Sequence, residues 1–155
     1  MLKVTPRKDT WKTPDNHCEA YGIWYLYFMN VISFVMVGTN DLKKASAFYA
    51  KVLATINLKL FAESEKYHSF SHEDKPDQKI FYVTNPNDGK PATIGNGTMI
   101  ALETDTKEKV DEFYKTALAN GAKDEGPPGV RSDGNYYAYI RDLDGNKLTV
   151  RTILK

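Results

Sequence analysis

The sequence predicts an α+β fold made of two tandem βαβββ units. Two amphipathic helical patterns, Asp41 to Asn57 and Lys107 to Asn120, each hold a Phe-Tyr pair, and the pairs Phe48-Tyr49 and Phe113-Tyr114 lie 65 residues apart. At that offset Ala45, Phe48, Tyr49, Val52 and Leu53 fall on Val110, Phe113, Tyr114, Ala117 and Leu118, while Thr39, Lys44 and Ala54 meet an identical Thr104, Lys109 and Ala119. Each helix follows a short β-rich run and precedes several strand-like runs parted by turn formers, so the repeat is that of a whole supersecondary unit.

Composition sets the outer limits. The 155 residues include 21 Lys+Arg and 20 Asp+Glu, for a formal net charge of +1, with 41% hydrophobic and 12% aromatic residues. That is enough apolar material for a sizeable core, which excludes disordered and low-complexity classes. Near charge balance, with no basic block and no Cys/His finger, argues against nucleic acid as a partner. The single cysteine, Cys18, cannot form an intramolecular disulfide, so a reducing cytoplasm is the expected location.

The elements follow in order. Residues 1–28 hold Pro6 and Pro14, show no periodicity over their first half, and are expected to form an extension outside the duplicated part. Tyr21 to Gly38 is nearly all apolar but is rich in Tyr, Trp and Phe and interrupted by Asn30 and Ser33, so it reads as strand material rather than a membrane segment. Its end, Phe34 to Gly38, is the first strand. The first helix has Thr39 and Asn40 as candidate caps. Strands follow at Leu58 to Ala62, Tyr67 to His72 and Lys79 to Thr84, and the turn-rich segment Asn85 to Gly97 links the units. The second unit opens with Met99 to Glu103. Its helix starts near Asp105, with Glu108 three residues later as in a capping box, and stops at Gly121. A weak strand near Lys123, a Gly126 to Gly134 loop holding Arg131, and the strands Tyr136 to Arg141 and Lys147 to Thr152 complete it. Asp142 to Asn146 is a hairpin turn; it lacks the downstream Glu and flanking helices of a calcium loop.

The segments VMVGTNDLKKASAFYAKVL, VTNPNDGKPATIGNGTMIAL, DEFYKTALANGAKDEGPPG and YYAYIRDLDGNKLTV together resemble the glyoxalase, bleomycin-resistance and extradiol-dioxygenase superfamily, also called vicinal oxygen chelate proteins. The resemblance covers nearly everything from Met29 onward and is to a short, single-domain bacterial type. It implies a domain at 29–155, with module one at about 29–95 and module two at about 96–155. It also implies that the two modules' sheets form an incomplete barrel around a pocket, often completed across a homodimer.

In metal-dependent members of the superfamily the ligands are mostly His or Gln on the first strand of a module and Glu on its last. Carried onto this chain, the first-strand positions fall on Phe34 and Met99, which the 65-residue offset also pairs, and the Glu position falls on Thr149, with Thr84 as its offset partner. A phenyl ring and a lone thioether cannot replace imidazole for a hard or borderline cation, and one Thr hydroxyl is too weak. No metal and no other cofactor is therefore expected; the alternative is a divalent ion such as Ni, Zn or Fe. His68 and His72 lie four apart, a metal-binding spacing on a helix, but on a strand running into Glu73 and Asp74 they read as a solvated polar end.

Strand alternation assigns the two sheet faces. Val35, Val37, Phe81, Val83, Ile100, Leu102, Ala138, Ile140, Leu148 and Val150 should meet the helices. The other face carries Phe34, Met36, Tyr82, Thr84, Met99, Tyr137, Tyr139, Arg141, Thr149 and Arg151, with Ala101 and Lys147 beside them; Lys147 is expected at the solvated rim. An aromatic and Met-lined concavity with a cationic side suits a small molecule.

Three functions fit the resemblance. One is a metal-free protein that binds or sequesters a small, partly aromatic or anionic molecule, as drug-resistance members do. A second is a metal-dependent lactoylglutathione lyase-like or dioxygenase-like enzyme, whose metal would hold two neighbouring substrate oxygens. The third is a metal-free enzyme using Tyr137, Tyr139 or Arg141. The absent ligand types favour the first, and whether there is catalysis stays open.

Overall fold

The computed structural model describes residues 32–154, so the 1–28 extension and its boundary at Met29 lie outside the described residues. The order is β1 (Val35–Gly38), α1 (Leu42–Ala54), β2 (Leu58–Glu63), β3 (Tyr67–His72), β4 (Lys79–Thr84), β5 (Ile100–Glu103), α2 (Lys107–Ala119), β6 (Lys123–Val130), β7 (Tyr136–Arg141) and β8 (Lys147–Thr152). Two four-stranded sheets result, with orders β1-β4-β3-β2 and β5-β8-β7-β6. In each, the first strand runs parallel to the last, and the other pairs are antiparallel. The duplication is thus exact at the level of topology. Among the described residues no strand pairs across the two sheets, so no closed barrel forms. None of their helices is long and apolar enough to cross a membrane.

The helices form where apolar residues recur at three-and-four spacing without Gly or Pro. Asp41, rather than Thr39 or Asn40, caps α1, its carboxylate accepting from the Lys44 N–H at 3.0 Å. Thr39 is instead buried, and its hydroxyl is committed to Asp144. The α2 cap likewise sits one residue later than expected: Thr106 accepts from the Lys109 N–H, so Glu108 does not close a capping box, and Asp105 pairs with the Lys109 ammonium at 2.8 Å. Gly121, at φ +100°, ends the helix in the left-handed region that glycine enters without steric cost.

Val37, Phe81, Val83, Ala138, Ile140, Leu148 and Val150 form a continuous core with the buried faces of α1 and α2, and Val35, Ile100 and Leu102 pack against it. Phe48 and Phe113, aligned aromatics of the two helices, are both almost fully buried.

Three further expectations are corrected. The weak strand near Lys123 is an eight-residue edge strand, and the loop expected from Gly126 is strand as far as Val130. Two register shifts at Gly126 and Gly129 accommodate Pro127 and Pro128, which an edge tolerates because their missing N–H groups leave no ladder position empty. His68 is not solvated: it faces α1, only 8% exposed, with Nδ1 2.6 Å from the Ser46 hydroxyl, while His72 is exposed. Finally, the register pairs Met36 with Tyr82 and Ala101 with Thr149, so the structural partner of Thr149 is Tyr82, not Thr84. By register Leu148 is the equivalent of Phe81 and lies two positions further beyond its helix, a shift that a fixed sequence offset cannot absorb.

Candidate functional site

The helix-free faces of the two sheets differ in chemistry. On the first sheet Phe34 packs against Tyr82 (ring centroids 5.1 Å apart) and Tyr82 against Tyr67 (5.6 Å), with Met36 beside them. Phe34 and Met36 are each about half exposed, at 51% and 48%, so this apolar surface is open; Met99, 46% exposed, precedes β5 of the second sheet. Thr84 lies at the end of β4, its hydroxyl donating to the Lys66 and Asn85 carbonyls.

On the second sheet the register stacks three cross-strand pairs: Arg141 with Lys147, Tyr139 with Thr149, and Tyr137 with Arg151. The Tyr137 and Tyr139 rings run parallel, 6° apart in plane and 5.9 Å between centroids. Cations stand over Tyr139, Arg131 at 5.4 Å and Lys147 at 5.8 Å from its ring. At one end Glu125 accepts from Arg141 Nε at 2.7 Å and lies 3.0 Å from Lys147 Nζ; these partners, Arg141 first, hold its carboxyl below the usual range. At the other end Arg151 pairs with Glu103 at 2.8 Å, and the Tyr137 hydroxyl donates to Asp133 at 2.6 Å while accepting from Arg151 at 3.3 Å. Of the residues expected in the pocket, Tyr137, Tyr139, Arg141, Thr149 and Arg151 thus share one face. Phe34, Met36, Tyr82 and Thr84 belong to the other sheet. Glu125, Glu103 and Asp133 complete the charged network and were invisible in sequence, because they lie in an irregular edge strand, at a strand end and in a turn.

Lys147, paired with Glu125, and Arg141 line an open cavity of about 540 Å³ whose other wall is the 94–99 segment of the linker. A second open cavity, of about 550 Å³, is lined by Asn57, Lys59, His72 and Glu73, but there the Lys59–Glu73 pair at 2.6 Å satisfies its own charges.

The positions that would carry superfamily metal ligands hold no suitable donors. Phe34 packs on Tyr82, Met99 offers a single thioether, and the Thr149 hydroxyl donates to the Ala138 carbonyl at 2.9 Å. Tyr82, the module-one equivalent of Thr149 by register, offers a phenol and no imidazole or carboxylate. Among the described residues no three His, Cys, Asp or Glu side chains cluster as a metal site.

The Asp142 to Asn146 turn fixes Arg141 and Lys147 in place. Asp142 is 4% exposed, and its carboxylate accepts from the Tyr49 hydroxyl, the Asp144 and Asn146 N–H groups and the Asn146 amide. Asp144 reaches across to Thr39 and Asn40, and Asn146 donates to the Gly38 carbonyl. Arg141 Nη1 donates to the Gly145 carbonyl at 2.9 Å. The turn is therefore bound to the first module on one side and to the site on the other.

The sequence model of the Glyoxalase/Bleomycin resistance protein/Dioxygenase superfamily matches residues 31–150. No curated protein matches the chain. Among solved structures, a glyoxalase/bleomycin resistance protein from Albidiferax ferrireducens T118 is 35% identical, the match covering 79% of this chain and 98% of that one at a TM-score of 0.72. A glyoxalase/bleomycin resistance protein/dioxygenase family enzyme from Burkholderia phytofirmans PsJN (20% identity, 79% and 98% covered, TM-score 0.62) shares the fold. So does a lactoylglutathione lyase from Agrobacterium tumefaciens (22%, 79% and 93%, 0.58). With its paired βαβββ modules, this chain belongs to the glyoxalase/bleomycin resistance protein/dioxygenase superfamily.

Proposed function

We propose that this protein binds a small, partly aromatic or anionic molecule on the helix-free side of its sheets and does so without the superfamily metal, as a cytoplasmic homodimer. The observation that carries the reading is the second sheet's face: two parallel tyrosine rings flanked by Arg141, Lys147 and Arg151, on a chain whose metal-ligand positions hold Phe34, Met99 and Thr149. Such a face offers apolar area for affinity and fixed charges for orientation. A metal-free enzyme is a second reading, supported by the Tyr137 hydroxyl held between Asp133 and Arg151, where a phenol can pass or accept a proton.

A thermal-shift screen of small aromatic acids, amines and alcohols, run beside metal analysis of protein purified without chelators and a methylglyoxal–glutathione lyase assay, tests the proposal. Stabilisation by one chemical class, with no bound metal and no turnover, is the expected result. Stoichiometric nickel, zinc or iron together with turnover would overturn it in favour of a metal-dependent lyase.

A further inference from the structure

The charges on the second sheet are unequally placed, and that inequality gives the site a direction. Arg141 and Lys147 share one carboxylate, Glu125, and Arg131 stands over the neighbouring Tyr139 ring. At the far end the count reverses: one cation, Arg151, faces Glu103 and the Asp133 carboxylate that holds Tyr137. Four residues along β7 separate the two ends, roughly 13 Å of strand. Donors are also left over at the first end. Arg141 uses Nε and Nη1, and Lys147 pairs with one carboxylate, so among the described residues Arg141 Nη2 and the rest of the ammonium have no hydrogen-bond partner.

The opposite wall of this end is the linker between the modules. Its Gly95 to Thr98 stretch is a tight turn, closed by the Thr98 N–H on the Gly95 carbonyl at 3.3 Å. A side chain at Gly95 would collide with Thr98, and Gly97 sits at φ +86°. The loop is thereby held in one shape against Arg141 and Lys147, and the cavity between them, about 540 Å³, is large enough for a single aromatic ring with a head group.

Building on the proposed ligand-binding role, we infer that the ligand is a flat aromatic ring bearing one anionic head, a carboxylate or phosphate, that points to Arg141 and Lys147 beneath the 94–99 loop, with the ring towards Tyr139. A head turned the other way would meet Glu103 and Asp133. The linker is then a wall of the site and not merely a connection.

Amide-resolved NMR titration of the full chain with benzoate, phenyl phosphate, benzyl alcohol and benzylamine tests this. Benzoate or phenyl phosphate should shift the amides of residues 94–99 and of Tyr139, and should bind about tenfold or more tightly than the alcohol and the amine, as expected for a charge-assisted contact. The ratio of the two acids distinguishes carboxylate from phosphate. Lys147→Gln should erase about tenfold of the acid's affinity and leave the alcohol's unchanged. Equal affinity for acid and alcohol, or shifts centred on Glu103 and Asp133, would overturn the inference while leaving a ligand-binding role standing. Failure of every probe to perturb the second sheet would overturn both.

Discussion

The Tyr49 hydroxyl donates a 2.6 Å hydrogen bond to Asp142 Oδ2, joining residues 93 positions apart and tying the first helix to the turn that carries the site's cations. Both groups are buried, so the bond replaces water for a carboxylate that would otherwise be short of a donor. Tyr49→Phe keeps the ring packing and removes only this donor. It should cost about 1.5–3 kcal/mol, the range for a hydrogen bond to a charged group, read as a lower urea midpoint at unchanged slope. A loss below about 0.5 kcal/mol would mean that Asp142 is satisfied by its three other donors alone.

The same pair sets an alkaline limit. Burial, and then the charge of Asp142, raises the Tyr49 phenol well above its ordinary value. An acid whose folded pKa lies above its unfolded one contributes stability below the unfolded pKa, near 10 for Tyr, and that contribution is lost as pH rises beyond it. Stability should therefore fall above about pH 10, and more steeply in the wild type than in Tyr49→Phe. Parallel curves for the two proteins would contradict the assignment, since the other raised phenols, Tyr114 and Tyr136, are present in both.

Gly145 links the turn to the linker. It sits at φ +92°, and a Cβ there would lie 2.8 Å from Ile94 Cγ2. Gly145→Ala should destabilise by about 1–2 kcal/mol through the left-handed backbone, with a further cost from the clash. Ile94→Ala added to it should recover the clash part but not the backbone part. If the double variant is no more stable than expected from adding the singles, the linker does not press on the turn.

Much of this was legible because the pattern is repeated. The 65-residue offset located both helices and their first strands, and strand alternation correctly separated Val35, Val37, Phe81 and Val83 from Phe34, Met36 and Tyr82. What escaped was long-range and polar. Nothing local marks Thr39 as the partner of Asp144 instead of a cap, since both roles suit a hydroxyl before a helix. Glu125 lay hidden in a Gly- and Pro-rich run that reads as loop, although an edge strand with two register shifts tolerates those residues. His68 looked solvated because its neighbours are polar, yet its partner Ser46 sits on the buried side of α1.

That buried His68–Ser46 pair has its own test. Removing either partner strands the other in the core, so Ser46→Ala and His68→Leu should each cost about 1–3 kcal/mol. The double variant leaves no orphan polar group, so it should lose less than the two singles together by about 1 kcal/mol or more in a double-mutant cycle. Strict additivity would mean that the 2.6 Å contact does not couple them.

The proposed homodimer is tested at Phe34. An uncovered surface holding Phe34 and Met36, each about half exposed, gains roughly 25 cal/mol for every Å² of apolar area that a second copy removes from water. A charge at its centre would have to be desolvated on association but stays in water in the single chain. Phe34→Glu should therefore dissociate the dimer while sparing the fold, because Phe34, just before β1, is half exposed and takes no part in the core. In light scattering at micromolar concentration the wild type should weigh twice its 17.6 kDa chain mass and the variant once. A wild-type mass of one chain would sink the dimer, and an unchanged dimer in Phe34→Glu would move its interface away from this sheet face.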